Sequence, residues 1–235
     1  EAYHNLYHLI KAEDPTAKIA NGSVIQATPL RLQYLERVWD AYGRKFPKYA
    51  PMPVDVWNVH AFVLQEKRGE TEWGAAIPAG FDDIDEGILY RVEDNKDFSI
   101  AWSHICEMRQ WMKDHGQQDK PLIITEYGVN MPTWLEGFSH EEVRDSFLYP
   151  SLDHFLNEKD CDLGYHADDC RLVQRWNWYS LDDDAGKYDG EEYLQFYNGN
   201  LFYSGLGDKP QGLSALGSYW IQYVAPLPSR DTKPY

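Results

Sequence analysis

Apolar positions recur along this chain in two alternating rhythms. Tyr3, Leu6, Tyr7, Leu9 and Ile10 return at helical spacing until Asp14-Pro15 closes the run. Residues 18–26 then read as a strand. Thr28 stands as an N-cap before Pro29 and opens a helix with Leu35, Val38, Trp39 and Tyr42 on one face, Gly43 serving as its stop. A second cycle begins with the strand pattern of residues 53–62. It continues through an acidic, glycine-containing stretch over residues 63–96, the length and character of a binding loop or lid, and ends in a helix over 98–113. In the third cycle the apolar run 121–128 stops abruptly at Glu126, and Ser139-His140-Glu141-Glu142 forms a capping box that opens the next helix. The fourth strand covers 172–181. A polar loop holding Asn198-Gly199-Asn200 leads to a closing helix over 213–224.

Strands alternating with helices predict an α/β fold with a parallel sheet. No repeat, low-complexity tract or linker divides the chain, so residues 1–235 read as a single domain. The four strands end at Gln26, His60, Glu126 and Trp178. In parallel sheets the carboxyl ends of the strands open together into loops, and ligands bind there. The four ends are therefore expected on one side of the molecule.

Composition narrows the partners. Lys and Arg number 22 against 38 Asp and Glu, a formal net charge of -16. Such a surface repels phosphate backbones and anionic lipid, which disfavours nucleic-acid and membrane-surface roles. No apolar stretch approaches the ~18 residues that span a bilayer. Aromatic residues reach 15%, with 9 Trp and 17 Tyr. That excess suits a ring-stacking surface and a core of large residues equally well. The chain opens at Glu1 with no initiator Met, as expected of a processed chain or of one that starts inside a longer protein. Cys161 and Cys170 bracket a polar loop short enough to close a disulfide, which leans toward an extracellular setting. Cys106 lies in a helical pattern and reads as a buried thiol.

Chemistry concentrates at few positions. Glu126 follows a run of buried-type residues, where a carboxylate costs several kcal/mol unless something stabilises or uses it. It reads either as a nucleophile or acid/base, or as a strand-end carboxylate held by backbone or an arginine. His60 ends an apolar strand and suits a rim contact better than direct chemistry. Trp176 and Trp178, two apart, share a face of their strand and either stack on a sugar ring or fill the core. Asp182-Asp183-Asp184 lacks the alternating spacing of a calcium loop and reads as a solvated acidic turn. Asn21-Gly22-Ser23 matches a glycosylation sequon but falls inside a predicted strand. No Gly-x-Ser-x-Gly elbow supports a serine hydrolase.

The run Ile-Thr-Glu126-Tyr-Gly resembles the seventh-strand nucleophile motif of clan A glycoside hydrolases, (β/α)8 barrels with catalytic glutamates on strands four and seven. Val-Trp-Asn-Val-His60-Ala-Phe resembles their sixth strand. Arg-Trp-Asn-Trp178-Tyr-Ser resembles their eighth, where an aromatic residue commonly floors the sugar subsite. The resemblance spans nearly the whole chain and implies the second half of a TIM-type barrel, strands five to eight. It implies Glu126 as nucleophile, with His60, Asn58, Tyr127, Trp176, Trp178 and Gln26 around the sugar, and no metal or organic cofactor.

The departure from the family is as informative. The acid/base glutamate of these enzymes lies in an Asn-Glu-Pro segment, and none occurs here. On this reading the acid/base sits upstream of residue 1, and the missing half of the barrel comes from a preceding segment or a partner chain. The expected ligand is a poly- or oligosaccharide, and the alternative is a non-catalytic carbohydrate-binding or cell-surface structural protein on a hydrolase scaffold.

Overall fold

The computed structural model describes residues 1–69, 73–182, 187–188, 191–192, 198–204 and 211–228. Its helices are α1 (Ala2–Glu13), α2 (Pro29–Lys45), α3 (Phe98–Asp114), α4 (His140–Val143), α5 (Tyr149–Asn157) and α6 (Ala215–Val224), with a π-turn over Arg144–Leu148 joining α4 to α5. Its principal strands are β1 (Trp57–Ala61), β4 (Leu122–Tyr127) and β5 (Arg175–Trp178). They form a parallel sheet in the order β1-β4-β5. Short pairs accompany it. β2 (Gln65–Glu66) lies parallel to β3 (Gly74–Ala75). β6 (Lys187–Tyr188) with β7 (Glu191–Glu192), and β8 (Phe202–Ser204) with β9 (Gln211–Leu213), are antiparallel. The fold is thus mixed α/β around a parallel sheet. The described residues form an open sheet, and no closed barrel is seen among them.

The caps behave as the sequence implies. Thr28 accepts from the Arg31 amide, and Ser139 and Glu142 make the reciprocal capping box. Gly43, expected to end α2, lies within it instead. The helix runs on to Lys45, and the Phe46 amide bonds back to the Tyr42 carbonyl.

The predicted strand over 18–26 is replaced by two isolated parallel bridges, Ala20 with Val56 and Val24 with Val59. Side-chain amides do the work of a ladder here. Asn21 Oδ1 accepts from the Asn58 amide at 2.7 Å, and its Nδ2 donates to the Asn58 carbonyl at 3.1 Å. Gln26 repeats the arrangement on Leu64, at 2.9 and 2.8 Å. Asn21 is buried by this contact, so its sequon is not presented to solvent.

One face of the sheet packs against helices through large aromatic residues. Trp57 meets Trp39 of α2 and Trp111 of α3, with ring centroids 6.0 and 5.1 Å apart. Tyr127 meets Phe155 of α5 at 5.2 Å, and Trp178 meets Trp220 of α6 at 6.4 Å. Much of the aromatic excess is therefore core, where each ring adds apolar burial and edge-to-face contacts. By contrast α1 has no buried residue and leaves Leu6, Leu9 and Ile10 exposed.

The stretch over 63–96 is anchored by buried polar contacts at Glu66 and Asn95. Glu66 is fully buried and accepts from Thr28 Oγ1 at 2.7 Å, Arg31 Nε at 2.9 Å and the Ile88 amide at 3.2 Å. Asn95 Nδ2 donates to the Val63 carbonyl at 2.9 Å. At the amino ends of the strands, fully buried Arg109 donates to the carbonyls of Leu172 (2.6 Å) and Lys120 (3.0 Å) and to Gln174 Oε1 (2.6 Å). Burial pushes its guanidinium down to about 9. Cys161 and Cys170 are joined by a disulfide, while Cys106 is a half-buried free thiol pushed up to about 11 by burial.

Two outcomes follow from these buried groups. Arg109→Met removes the donor to the Leu172 and Lys120 carbonyls and to Gln174 and should lower unfolding free energy by about 3 kcal/mol or more, read by urea denaturation. His104 lies 2.8 Å from the Tyr90 hydroxyl, and burial pushes its imidazole down to about 4. Below pH 6.5 the unfolded chain takes up this proton and the folded one does not. Stability should therefore fall by about 3 kcal/mol as pH drops from 6.5 to 4, and His104→Leu should remove that part of the slope.

Candidate active site

Alternation divides β1 into two faces. Trp57, Val59 and Ala61 are buried toward the helices, and Asn58 and His60 are turned to the other, partly open side. β4 begins in the same phase, with Leu122 opposite Trp57, Ile123 opposite Asn58 and Ile124 opposite Val59. The register then shifts, so that Glu126 stands opposite His60 and Tyr127 opposite Ala61. β5 shows the same shift, since Ile124 pairs with Trp176 and Tyr127 with Trp178. Thr125 is thus the extra residue of a β-bulge within β4, a device that re-aims side chains and is common beside active sites.

The bulge brings Glu126, His60 and Asn58 to one face. Glu126 Oε2 lies 3.3 Å from His60 Nδ1, the Glu126 side chain 39% exposed and His60 19%. Burial lowers the His60 pKa, and the Glu126 charge opposes that shift only in part. Burial of the ring thus disfavours the imidazolium form of His60. Thr125 Oγ1 donates to Asn58 Oδ1 at 2.9 Å. His60 also meets the edge of Phe62, with centroids 6.3 Å apart, and Phe62 meets Tyr179 at 6.1 Å. Directly after β4, Gly128 turns the chain at φ +152, where a Cβ would press on the Tyr179 carbonyl at 3.0 Å and on the Trp178 ring.

Four expected site residues lie elsewhere. Tyr127 is fully buried between Phe155, Phe147 and Trp178, and burial raises its phenol. Trp176 packs on Phe155 with centroids 5.3 Å apart, and Trp178 donates its indole N–H to the Gly199 carbonyl at 2.9 Å. These three face the helices because β5 is in phase with Tyr127, so stacking of Trp176 or Trp178 on a sugar beside Glu126 does not match their placement. Gln26 is fully buried in its clamp on Leu64. Pattern reading missed Thr125, Phe62 and Tyr179. The one available signal was the doublet Thr125-Glu126, two polar neighbours in a strand that otherwise has none together. Asp183 and Asp184 lie outside the described residues.

No protein-family model matches this chain, and no curated protein matches it. Among solved structures, a monomeric beta-xylosidase from Caulobacter crescentus CB15 is similar over 95% of this chain, with 13% identity and a TM-score of 0.47. This chain spans 37% of the length of that glycoside hydrolase.

The placement of the indole at 178 has a direct test. Trp178→Ala should cost about 3–5 kcal/mol of stability in urea denaturation, while Glu126→Gln, at a partly exposed position, should leave the midpoint nearly unchanged.

Proposed function

We propose that this protein is a retaining β-glycoside hydrolase of the clan A type, acting on poly- or oligosaccharide, with Glu126 as its nucleophile. The observation that carries the reading is the carboxylate at the carboxyl end of β4, turned by the bulge onto the partly open face and set against the His60 imidazole. A carboxylate at a partly open strand end is suited to attack an anomeric carbon. It forms an ester with the sugar as the glycosidic C–O bond breaks, and a general acid protonates the departing oxygen. Water then attacks the same carbon, giving its proton to that second group and releasing Glu126. His60 lies beside the carboxylate, 3.3 Å away, and Asn58 and Tyr179 contact the sugar.

The second carboxyl must stand about 5–5.5 Å from Glu126. We assign it to a (β/α) segment preceding residue 1 or to a partner chain, which would also cover the open face of the sheet. The Cys161–Cys170 disulfide supports an extracellular or cell-surface setting.

The test is hydrolysis of a panel of nitrophenyl β-glycosides by the intact protein. Glu126→Gln should reduce kcat roughly a thousandfold or more, and azide added to Glu126→Gly should restore release of nitrophenol and yield the α-glycosyl azide. Activity of Glu126→Gln within about tenfold of wild type would remove the residue from this role. Glycan binding by wild type without hydrolysis would favour a carbohydrate-binding protein.

A further inference from the structure

A strand alternating regularly from Leu122 would put Thr125 opposite His60 and Glu126 opposite Ala61, among the aromatic residues that face the helices. The carboxylate would then be buried beside Phe147 and Phe155. The bulge prevents this, and a specific contact secures it. The Thr125 hydroxyl donates to Asn58 Oδ1 at 2.9 Å, across the strand pair and immediately before the shift. Its acceptor is itself fixed, because the Asn58 backbone is gripped on both sides by the buried amide of Asn21. With Oδ1 accepting from Thr125, the orientation of the Asn58 amide is fixed, and its two N–H donors take no part in that bond.

We infer that Thr125 is a positioning residue, whose latch to Asn58 holds the bulge that directs Glu126 to His60 and orients the Asn58 amide to donate to a hydroxyl-bearing ligand. A threonine is suited to the task because its branched Cβ stiffens the strand while its hydroxyl supplies the directional bond. The catalytic consequence rests on the proposed hydrolase reading. The geometric claim does not.

The readout is the His60 imidazole titration, followed by NMR on the intact protein labelled at histidine. The Glu126 charge holds the His60 pKa up against burial, so Glu126→Gln should lower it. Thr125→Val and Asn58→Leu should each move it toward the Glu126→Gln value, and the double variant should move it no further. Thr125→Ser, which keeps the hydroxyl, should titrate as wild type. In hydrolysis assays Thr125→Val should lower kcat about tenfold with a smaller change in KM. A wild-type His60 titration in Thr125→Val would overturn the inference, as would additive shifts in the two single variants. If Thr125→Val does not fold, Asn58→Leu decides the same question from the other side of the bond. Coupled titrations with no hydrolysis by any variant would leave the latch standing and sink the enzyme reading. Hydrolysis that depends on Glu126 but not on Thr125 would do the reverse.

Discussion

The sheet has two faces of opposite character, and everything at the candidate site depends on keeping them apart. One side is packed with Trp57, Tyr127, Trp176 and Trp178 against α2, α3, α5 and α6. Rings of that size fill their space densely and leave a strand little freedom to rotate or slip. The other side carries Asn58, His60, Thr125 and Glu126. A one-residue error in register would exchange the two sets, placing a carboxylate among phenylalanines and an aromatic ring in water. The aromatic packing thus supports the site without touching a ligand.

Order at the carboxyl ends also comes from buried polar contacts. Glu66 is held by Thr28, Arg31 and the Ile88 amide, so the long segment after β1 is anchored to the start of α2. Asn198 donates to the carbonyls of Met131 and Phe138, and the Gly199 carbonyl accepts from Trp178, which stitches the loop after β4 to the end of β5. Each contact satisfies a group that would be costly to bury alone. The loops after β1, β4 and β5 are therefore held at these points by buried polar contacts.

Much of this architecture was legible in the residues. The helical repeats, the caps at Thr28 and Ser139 and the apolar runs of β1, β4 and β5 all reflect local rules of spacing and hydrogen bonding. The pairing of Cys161 with Cys170 was open to the same kind of reading. Residues 18–26 do not form the strand their pattern predicts because Asn21 and Gln26 bond through their side chains, which a pattern of hydrophobicity does not register. The sequence pattern groups Trp178 with Glu126 because both end apolar runs. Which face a strand-end residue takes depends on phase relative to its neighbours, and the extra residue at Thr125 changes that phase within β4 alone. Tertiary register, and not local propensity, decides such positions.

Arg109 lies at the opposite end of the strands, clasping the chain just before β4 and β5 through the Leu172 and Lys120 carbonyls and Gln174. Cohesion there is independent of whatever the far rim does. The two ends of the sheet are thus secured separately, one by a single guanidinium and the other by the Asn198 amide and the Gly199 carbonyl.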